Sequence, residues 1–160
     1  EIDQVVADAR TLSAGDHEIT LDLDRDLMLI GNQSELRSAV SNLVFNAVKH
    51  TPPGSHVRVG WWDEPGGAVF RVADDGPGIA PEHIPRITER FYRVDKARSR
   101  ASGGTGLGLA IVKHVLNHHD AVLSIASEPG RGSTFTCRFP AESSLRRQDQ
   151  VPQLQELRLG

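Results

Sequence analysis

The sequence predicts a two-layer α/β sandwich: a mixed, mostly antiparallel sheet with helices on one face. Three observations predict it. Apolar residues alternate in period two over residues 17–23, 57–61, 68–73 and 133–139, the spacing of half-buried strands. They recur at three and four residues over 1–14, 33–50 and 106–118, the spacing of helices with one buried face. The later strands come as pairs joined by glycine-bearing turns, at Asp63 to Gly67 and Glu128 to Gly132, as antiparallel hairpins do.

Taken in order, Ile2, Val5, Val6, Ala9 and Leu12 give the first helix its apolar face, and Gly15 with Asp16 ends it. Ile19, Leu21 and Leu23 alternate in a strand, and a short second strand follows at Leu27 to Ile30. Asn32, with Glu35 three positions on, forms a capping box for a helix from about Gln33 to His50. Leu36, Val40, Leu43, Val44 and Ala47 stripe that helix, while Asn42, Asn46 and Lys49 share another of its faces. Thr51-Pro52-Pro53-Gly54 stops it. A hairpin then delivers Asp74 and Asp75 at its end. Residues 81–90 have room for one or two helical turns, with Pro85 barring a longer helix, and residues 91–103 form a polar, basic loop. A helix from Gly106 to His118 buries Leu109, Val112, Val115 and Leu116, and strands at 121–126 and 133–139 close the fold. The expected division is a helix at 1–14, a body at 15–140 and a frayed tail at 141–160.

Composition narrows the function. The 160 residues suffice for one core, and a net charge of -3 gives no general reason to expect nucleic acid as a partner. No run approaches the roughly 20 apolar residues of a membrane span, so no direct membrane contact is expected. Cys137 alternates with Phe135 and Phe139, which makes it a small core residue rather than a nucleophile. His114, His118 and His119 are read as surface histidines, because the sequence puts no cysteine or carboxylate set beside them. His17, His56 and His83 belong to no motif.

Two stretches carry chemistry. Gly104, Gly106 and Gly108 alternate immediately before a helical pattern, so backbone N–H groups and a helix N-terminus converge as in a phosphate site, with Arg98 and Arg100 just upstream. The spacing fits neither a dinucleotide fingerprint nor a P-loop: position 109 is Leu, and no Gly-Lys-Ser/Thr occurs. Asp74, followed by Gly76 and Gly78, is a carboxylate at a strand end with uncovered backbone beside it. A carboxylate repels phosphates, so it suits the exocyclic amine of a base such as adenine. A triphosphate needs a cation, and magnesium takes few protein ligands, which makes the amide of Asn46 a sufficient one.

The run from Asn42 to Thr51 (Asn-Leu-Val-Phe-Asn-Ala-Val-Lys-His-Thr), Asp74 to Ile79, Glu89 to Arg93, Gly103 to His114 and Gly130 to Phe135 resemble, in order, the N, G1, F, G2 and G3 boxes of sensor histidine kinases. The run from Phe91 to Arg100 and the histidines after Val112 resemble the phosphate-regulon branch of that family. The resemblance implies a Bergerat-type sandwich that binds ATP with Mg2+, held by Asn46. Asn42 and Lys49 would lie near the phosphates, with His50 toward the nucleotide where the family commonly has Tyr. Asp74 would take the adenine, with Gly76, Gly78 and Ile79 along that wall and Thr134 on the last strand beneath it. Phe91 and Tyr92 would anchor an ATP lid. Arg93, with Arg98 and Arg100, would reach the terminal phosphates, and Gly104, Thr105, Gly106, Leu107, Gly108 and Leu109 would line the triphosphate.

The implied reaction moves the γ-phosphoryl of Mg-ATP to a histidine on a separate dimerisation domain, with a response regulator as downstream partner and phosphate limitation as the signal. Asn46, Lys49 and Arg93 are the implied catalytic residues. A cytoplasmic domain of a parent in the bacterial inner membrane is expected, with helix 1–14 as the linker from the dimerisation domain. Three rivals remain: an ATP-hydrolysing module of the chaperone, topoisomerase or mismatch-repair type, a nucleotide-binding regulatory module without chemistry, and a protein-interaction domain with structural glycines. The first normally carries a Glu where this chain has Asn42, and Asn46, Lys49 and Arg93 speak against the second. No His-Glu/Asp-x-x-Arg/Thr-Pro run of the family's acceptor kind occurs in the 160 residues. The purified chain is therefore expected to take up no covalent label from γ-labelled ATP, and acid-labile or stable label fixed to it would contradict this.

Overall fold

The computed structural model describes residues 2–93 and 107–147. Helix α1 spans Ile2–Ser13, strand β1 Glu18–Leu23, β2 Leu27–Leu29 and helix α2 Gln33–Lys49. Strands β3 (His56–Glu64) and β4 (Gly67–Asp74) form the first hairpin. After a 3-10 turn at Ile84–Arg86 come helix α3 (Gly108–His118), β5 (Val122–Glu128) and β6 (Gly132–Arg138). A second 3-10 turn at Ala141–Ser143 leads into β7, Ser144–Arg146.

The main sheet has the order β1-β3-β4-β6-β5, parallel only between β1 and β3, so the mixed and mostly antiparallel sheet read from the sequence is present. The three helices cover one face. The period-two alternation puts Val57, Val59, Trp61, Phe70, Val72, Phe135 and Cys137 into the core they share with Leu43, Val44, Val112 and Leu116. The other face is polar: the Arg71 guanidinium lies 4.8 Å over the Trp62 ring, and Arg71 Nε donates to Thr136 Oγ1 at 3.2 Å. Burial pushes the Cys137 thiol up to about 12, which keeps it protonated and inert as expected for a core residue.

Helix α1 packs through Val5, Val6, Ala9 and Ser13, while Leu12, expected on that face, is 49% exposed. A contact stripe advancing by seven residues from Val6 reaches position 13 and leaves 12 to one side. Ser13 is affordable inside because its Oγ accepts the His17 N–H at 2.9 Å and pairs with His17 Nδ1 at 2.9 Å. His17 Nε2 then donates to the Thr51 carbonyl at 3.1 Å, tying the end of α1 to the residue that follows α2.

The tail expected from residue 141 onward does not begin there. Strand β7 pairs antiparallel with β2, Leu29↔Ser144 to Leu27↔Arg146, and Arg146 Nη1 reaches Asp24 Oδ2 at 3.0 Å. This small sheet joins the body through Trp61, whose Nε1 donates to the Leu27 carbonyl at 2.9 Å and whose ring meets Phe139 edge-on at 6.2 Å. Three residues of strand are too few to show a period, and their partner is more than a hundred residues away.

At the far end of β4, Gly132 starts β6 with φ +113°, and a Cβ there would stand 1.9 Å from the Asp74 carbonyl oxygen. Only glycine allows the two strands to meet at that point. Gly132→Ala is expected to cost about 2–3 kcal/mol, a fall in Tm of roughly 4–12 °C. Gly130→Ala, also at positive φ but with nothing within 4 Å of its added Cβ, should lose clearly less in the same thermal melts.

Candidate functional site

The second half of helix α2 carries the two ends of the site. At one, Asn42 Nδ2 donates to the Ser38 carbonyl at 2.8 Å, which turns its Oδ1 toward α3. A Cβ on Gly108, the first residue of α3, would stand 2.9 Å from that oxygen, so the glycine is what lets the helix start come against α2. No side chain among the described residues caps α3, whose first-turn N–H groups have no partner within the helix. At the other end Thr51, buried and bonded through Oγ1 to the Ala47 carbonyl at 2.7 Å, packs its methyl against Gly76. Asn42 and Thr51 are separated by about 13 Å of helical rise. Asn46 lies between them, half-buried, and its amide makes no hydrogen bond among the described residues. Lys49 and His50 are exposed at the end of the helix.

The two adjacent aspartates have different roles. Asp75 turns outward to the hairpin: its Oδ1 accepts the His56 N–H at 2.7 Å, and its own N–H goes to the His56 carbonyl at 3.3 Å. Asp74 turns to the helix side, with Oδ1 accepting the Gly76 N–H at 3.0 Å. Burial raises the Asp74 pKa above the usual carboxylate value and Asp75 adds repulsion, against the lowering effect of backbone N–H bonds from Gly76 and Ser133. Burial thus opposes the charged form of this carboxylate, and no cation pairs with it among the described residues, the condition of a group kept for a ligand.

The loop after Asp74 is fixed from beneath. Gly78 has φ +74°, with Glu128 O 2.2 Å from where its Cβ would be, and Gly130 N–H donates to the Pro77 carbonyl at 2.8 Å. Ser127 Oγ accepts the Ile79 N–H at 2.7 Å and donates to the Gly132 carbonyl at 2.9 Å, with Ser133 Oγ 3.0 Å away. Ile79 itself packs against the core. Ser127 and Ser133 are residues that sequence reasoning missed. The only signal was that both are small hydroxyls opposite each other in the last hairpin.

Three expected site residues change. Thr134 pairs with Ala73 and therefore faces the outer side of the sheet, whereas Ser133 pairs with Asp74 on the side of Val72 and Phe135. The place beside the carboxylate belongs to Ser133. Leu109 is 8% exposed and is a core residue, while Leu107 precedes the helix half-exposed. Phe91, at φ 65°, is 65% exposed and has the Arg90 guanidinium 6.0 Å from its ring, so among the described residues it is Tyr92 that holds the end of the 81–92 segment. Its hydroxyl bonds His83 Nδ1, and Arg86 lies 4.7 Å over its ring. Arg93 follows, half-buried. Arg98, Arg100, Gly104, Thr105 and Gly106 lie outside the described residues. A groove of about 350 Å³ between residues 84–88, α3 and β5 is lined by none of the candidate residues.

Residues 31–143 match the family model for histidine kinase-, DNA gyrase B- and HSP90-like ATPases. A solved structure of the mycobacterial sensor histidine kinase MprB superposes with a TM-score of 0.75 at 34% identity, covering 87% of this chain and 92% of that one. The chain belongs to the sensor histidine kinases of this ATPase family. The phosphate regulon sensor protein PhoR of Pseudomonas aeruginosa is 58% identical over 137 residues, 84% of this chain and 31% of PhoR. The sensor-like histidine kinase SenX3 of Mycobacterium tuberculosis is 43% identical over 158 residues, 96% of this chain and 38% of SenX3. The chain thus spans about a third of the length of these sensor kinases.

The raised pKa of Asp74 has a sign. The folded state holds this proton more tightly than the unfolded chain, so its contribution to stability is greatest below the usual carboxylate pKa and is lost as pH rises through the raised one. Asp74→Asn, which keeps the acceptor for Gly76, should raise Tm at pH 7 and flatten the dependence of Tm on pH as pH rises above the usual carboxylate pKa. Unchanged melting curves for the native chain and the variant would show that the carboxylate is not held at a cost.

Proposed function

We propose that the chain is the ATP-binding catalytic domain of a two-component sensor kinase, binding Mg-ATP along α2 and directing its γ-phosphoryl to a histidine on a helical dimerisation domain. The observation that carries this is the line of groups on one helix. A half-buried carboxylate with no cation beside it among the described residues, and a glycine wall, stand at the Thr51 end; an amide without a described partner stands in the middle, and a helix start with no side-chain cap among the described residues stands at the Asn42 end.

The residues fit the groups they would hold. Asp74 would accept from the exocyclic amine of adenine, while the missing Cβ at Gly76 leaves the base room beside Thr51. The first-turn N–H groups of α3, which no described side chain caps, would take phosphate oxygens and add the positive end of the helix. Asn46 would ligate Mg2+, which when bound neutralises charge on the transferring phosphoryl group. Lys49 and Arg93 would add positive charge, as would Arg98 and Arg100, which with Gly104 and Gly106 lie outside the described residues. Phosphoryl transfer asks little else of a protein than such positioning and charge neutralisation.

The acceptor, a response regulator, a membrane-anchored parent and control by phosphate limitation are proposed on the likeness to PhoR. The Asn at position 42, where hydrolysing relatives of the fold have a Glu, favours transfer over hydrolysis. ShkA, which matches at 30% identity and a TM-score of 0.71, was solved with AMPPNP, and a nucleotide of that kind is the expected ligand here.

Calorimetric titration with ATP and Mg2+ tests the binding. Asp74→Asn should weaken affinity by roughly 10- to 100-fold, the value of a hydrogen bond to a charged group. Asn46→Ala should abolish the dependence of that affinity on Mg2+. Native binding unaffected by either change would overturn the reading. Transfer of label to a histidine-bearing helical hairpin supplied in trans separates a kinase from a non-catalytic module.

A further inference from the structure

The fold brings Glu35, His118 and His119 together where the last turn of α3 meets the first turn of α2. The sequence offered these histidines no carboxylate, since Glu35 is 83 residues from His118. In the structure Glu35 Oε1 lies 2.9 Å and Oε2 3.0 Å from His118 Nδ1, and one ligand atom from each of the three residues lies within 4.8 Å of the others. We propose that Glu35, His118 and His119 form a binding site for a divalent first-row transition metal ion of the Zn2+ class, clamping α2 to α3 independently of nucleotide.

The tautomer of His119 is the first reason. Its Nδ1 lies 2.8 Å from the Val115 carbonyl, which can only accept, and its Nε2 lies 3.1 Å from the Asn32 N–H, which can only donate. The proton is therefore on Nδ1 and the lone pair on Nε2, inside the cluster. A carbonyl on the far nitrogen is also the outer partner that metal-bound histidines normally have. The ring is seated closely: a Cβ on Gly31 would stand 2.6 Å from His119 Cδ2 and 2.8 Å from Nε2. Glycine at 31 thus makes the slot that aims Nε2 at Glu35.

His118 supplies the second nitrogen with little rearrangement. Its side chain is 64% exposed and that of Glu35 28%, so both can close the gap to the roughly 3.3 Å between ligand atoms of a tetrahedral site. The His118 proton moves to Nε2, in contact with water, and the ion takes its place between Nδ1 and the carboxylate. Asn32 is exposed, so its N–H passes from His119 to water. Two neutral imidazoles and one carboxylate suit Zn2+, Ni2+ or Cu2+ rather than Mg2+ or Ca2+, which prefer oxygen. The carbonyl end of α3 favours the positive charge, and Glu35 offsets the opposing N-terminus of α2. A fourth position is left to water.

The probe is Co2+, added without nucleotide to the purified chain lacking any histidine tag, followed by displacement with Zn2+. One Co2+ per chain with the visible absorption of a four-coordinate site is expected. Glu35→Gln and His118→Gln should each weaken Zn2+ at least roughly tenfold, while His56→Gln, on a different part of the surface, should not. Both variants alter partly exposed side chains, and melting curves in chelator show whether they remain folded. Should one unfold, imidazole NMR of the native chain decides: signals of His118 and His119 shifting together at one equivalent of Zn2+ support the site. Absence of those shifts, or Co2+ binding that Glu35→Gln and His118→Gln leave unchanged, overturns it.

Discussion

The architecture of this domain depends on the burial of α2 between the sheet and the other two helices. Leu43 and Val44 are almost wholly inaccessible, and α2 touches α1, α3, β3 and β4. A helix so enclosed has a fixed rotation, because turning it by one residue would swing Leu43 out of the core and Asn42 or Asn46 in. The direction in which its polar groups face is thus set by packing. The proposed site needs that certainty, since Asn42 and Asn46 stand at a fixed interval on α2 and Thr51 just beyond its end.

The second organising feature is a division of labour between neighbouring carboxylates. Asp75 spends its charge on a backbone N–H of β3 and closes the hairpin. Asp74, one residue earlier, is turned by the strand pleat toward the helix layer, where burial opposes its ionisation. The backbone around it is held by Gly132 against its carbonyl and by the Ser127 hydroxyl beneath the loop. A strained and costly group persists where its surroundings leave it no alternative.

Contacts distant in sequence tie this framework together. His17 bridges the end of α1 to Thr51, β7 zips onto β2, and Trp61 joins that small sheet to the main core. At the opposite end of α2, the expected capping box is half formed. Asn32 Oδ1 accepts the Glu35 N–H at 3.0 Å, but the return bond is absent: Asn32 N–H goes to His119 and the Glu35 carboxylate to His118. The start of α2 is therefore coupled to the end of α3, the opposite end of that helix from Gly108.

Alone, the sequence determined what depends on local spacing. Period two and period 3.6 revealed the strands and helices, because each side chain's burial repeats with the pitch of its own element. The runs around Asn46, Asp74 and Gly108 were legible because backbone access and a few donor types must sit close together in the chain. Tertiary structure decided whatever turns on a single step of rotation or on a distant partner. Ser133 rather than Thr134 stands beside Asp74, since strand register, not composition, assigns the face. Ser13 rather than Leu12 is buried, since His17 supplies the bonds its hydroxyl needs. Strand β7 exists only because β2 is there to pair with it, and Glu35 reaches His118 only because α2 and α3 pack antiparallel side by side. A linear pattern records the pitch of an element but not its neighbour, and these residues have roles only through their neighbours.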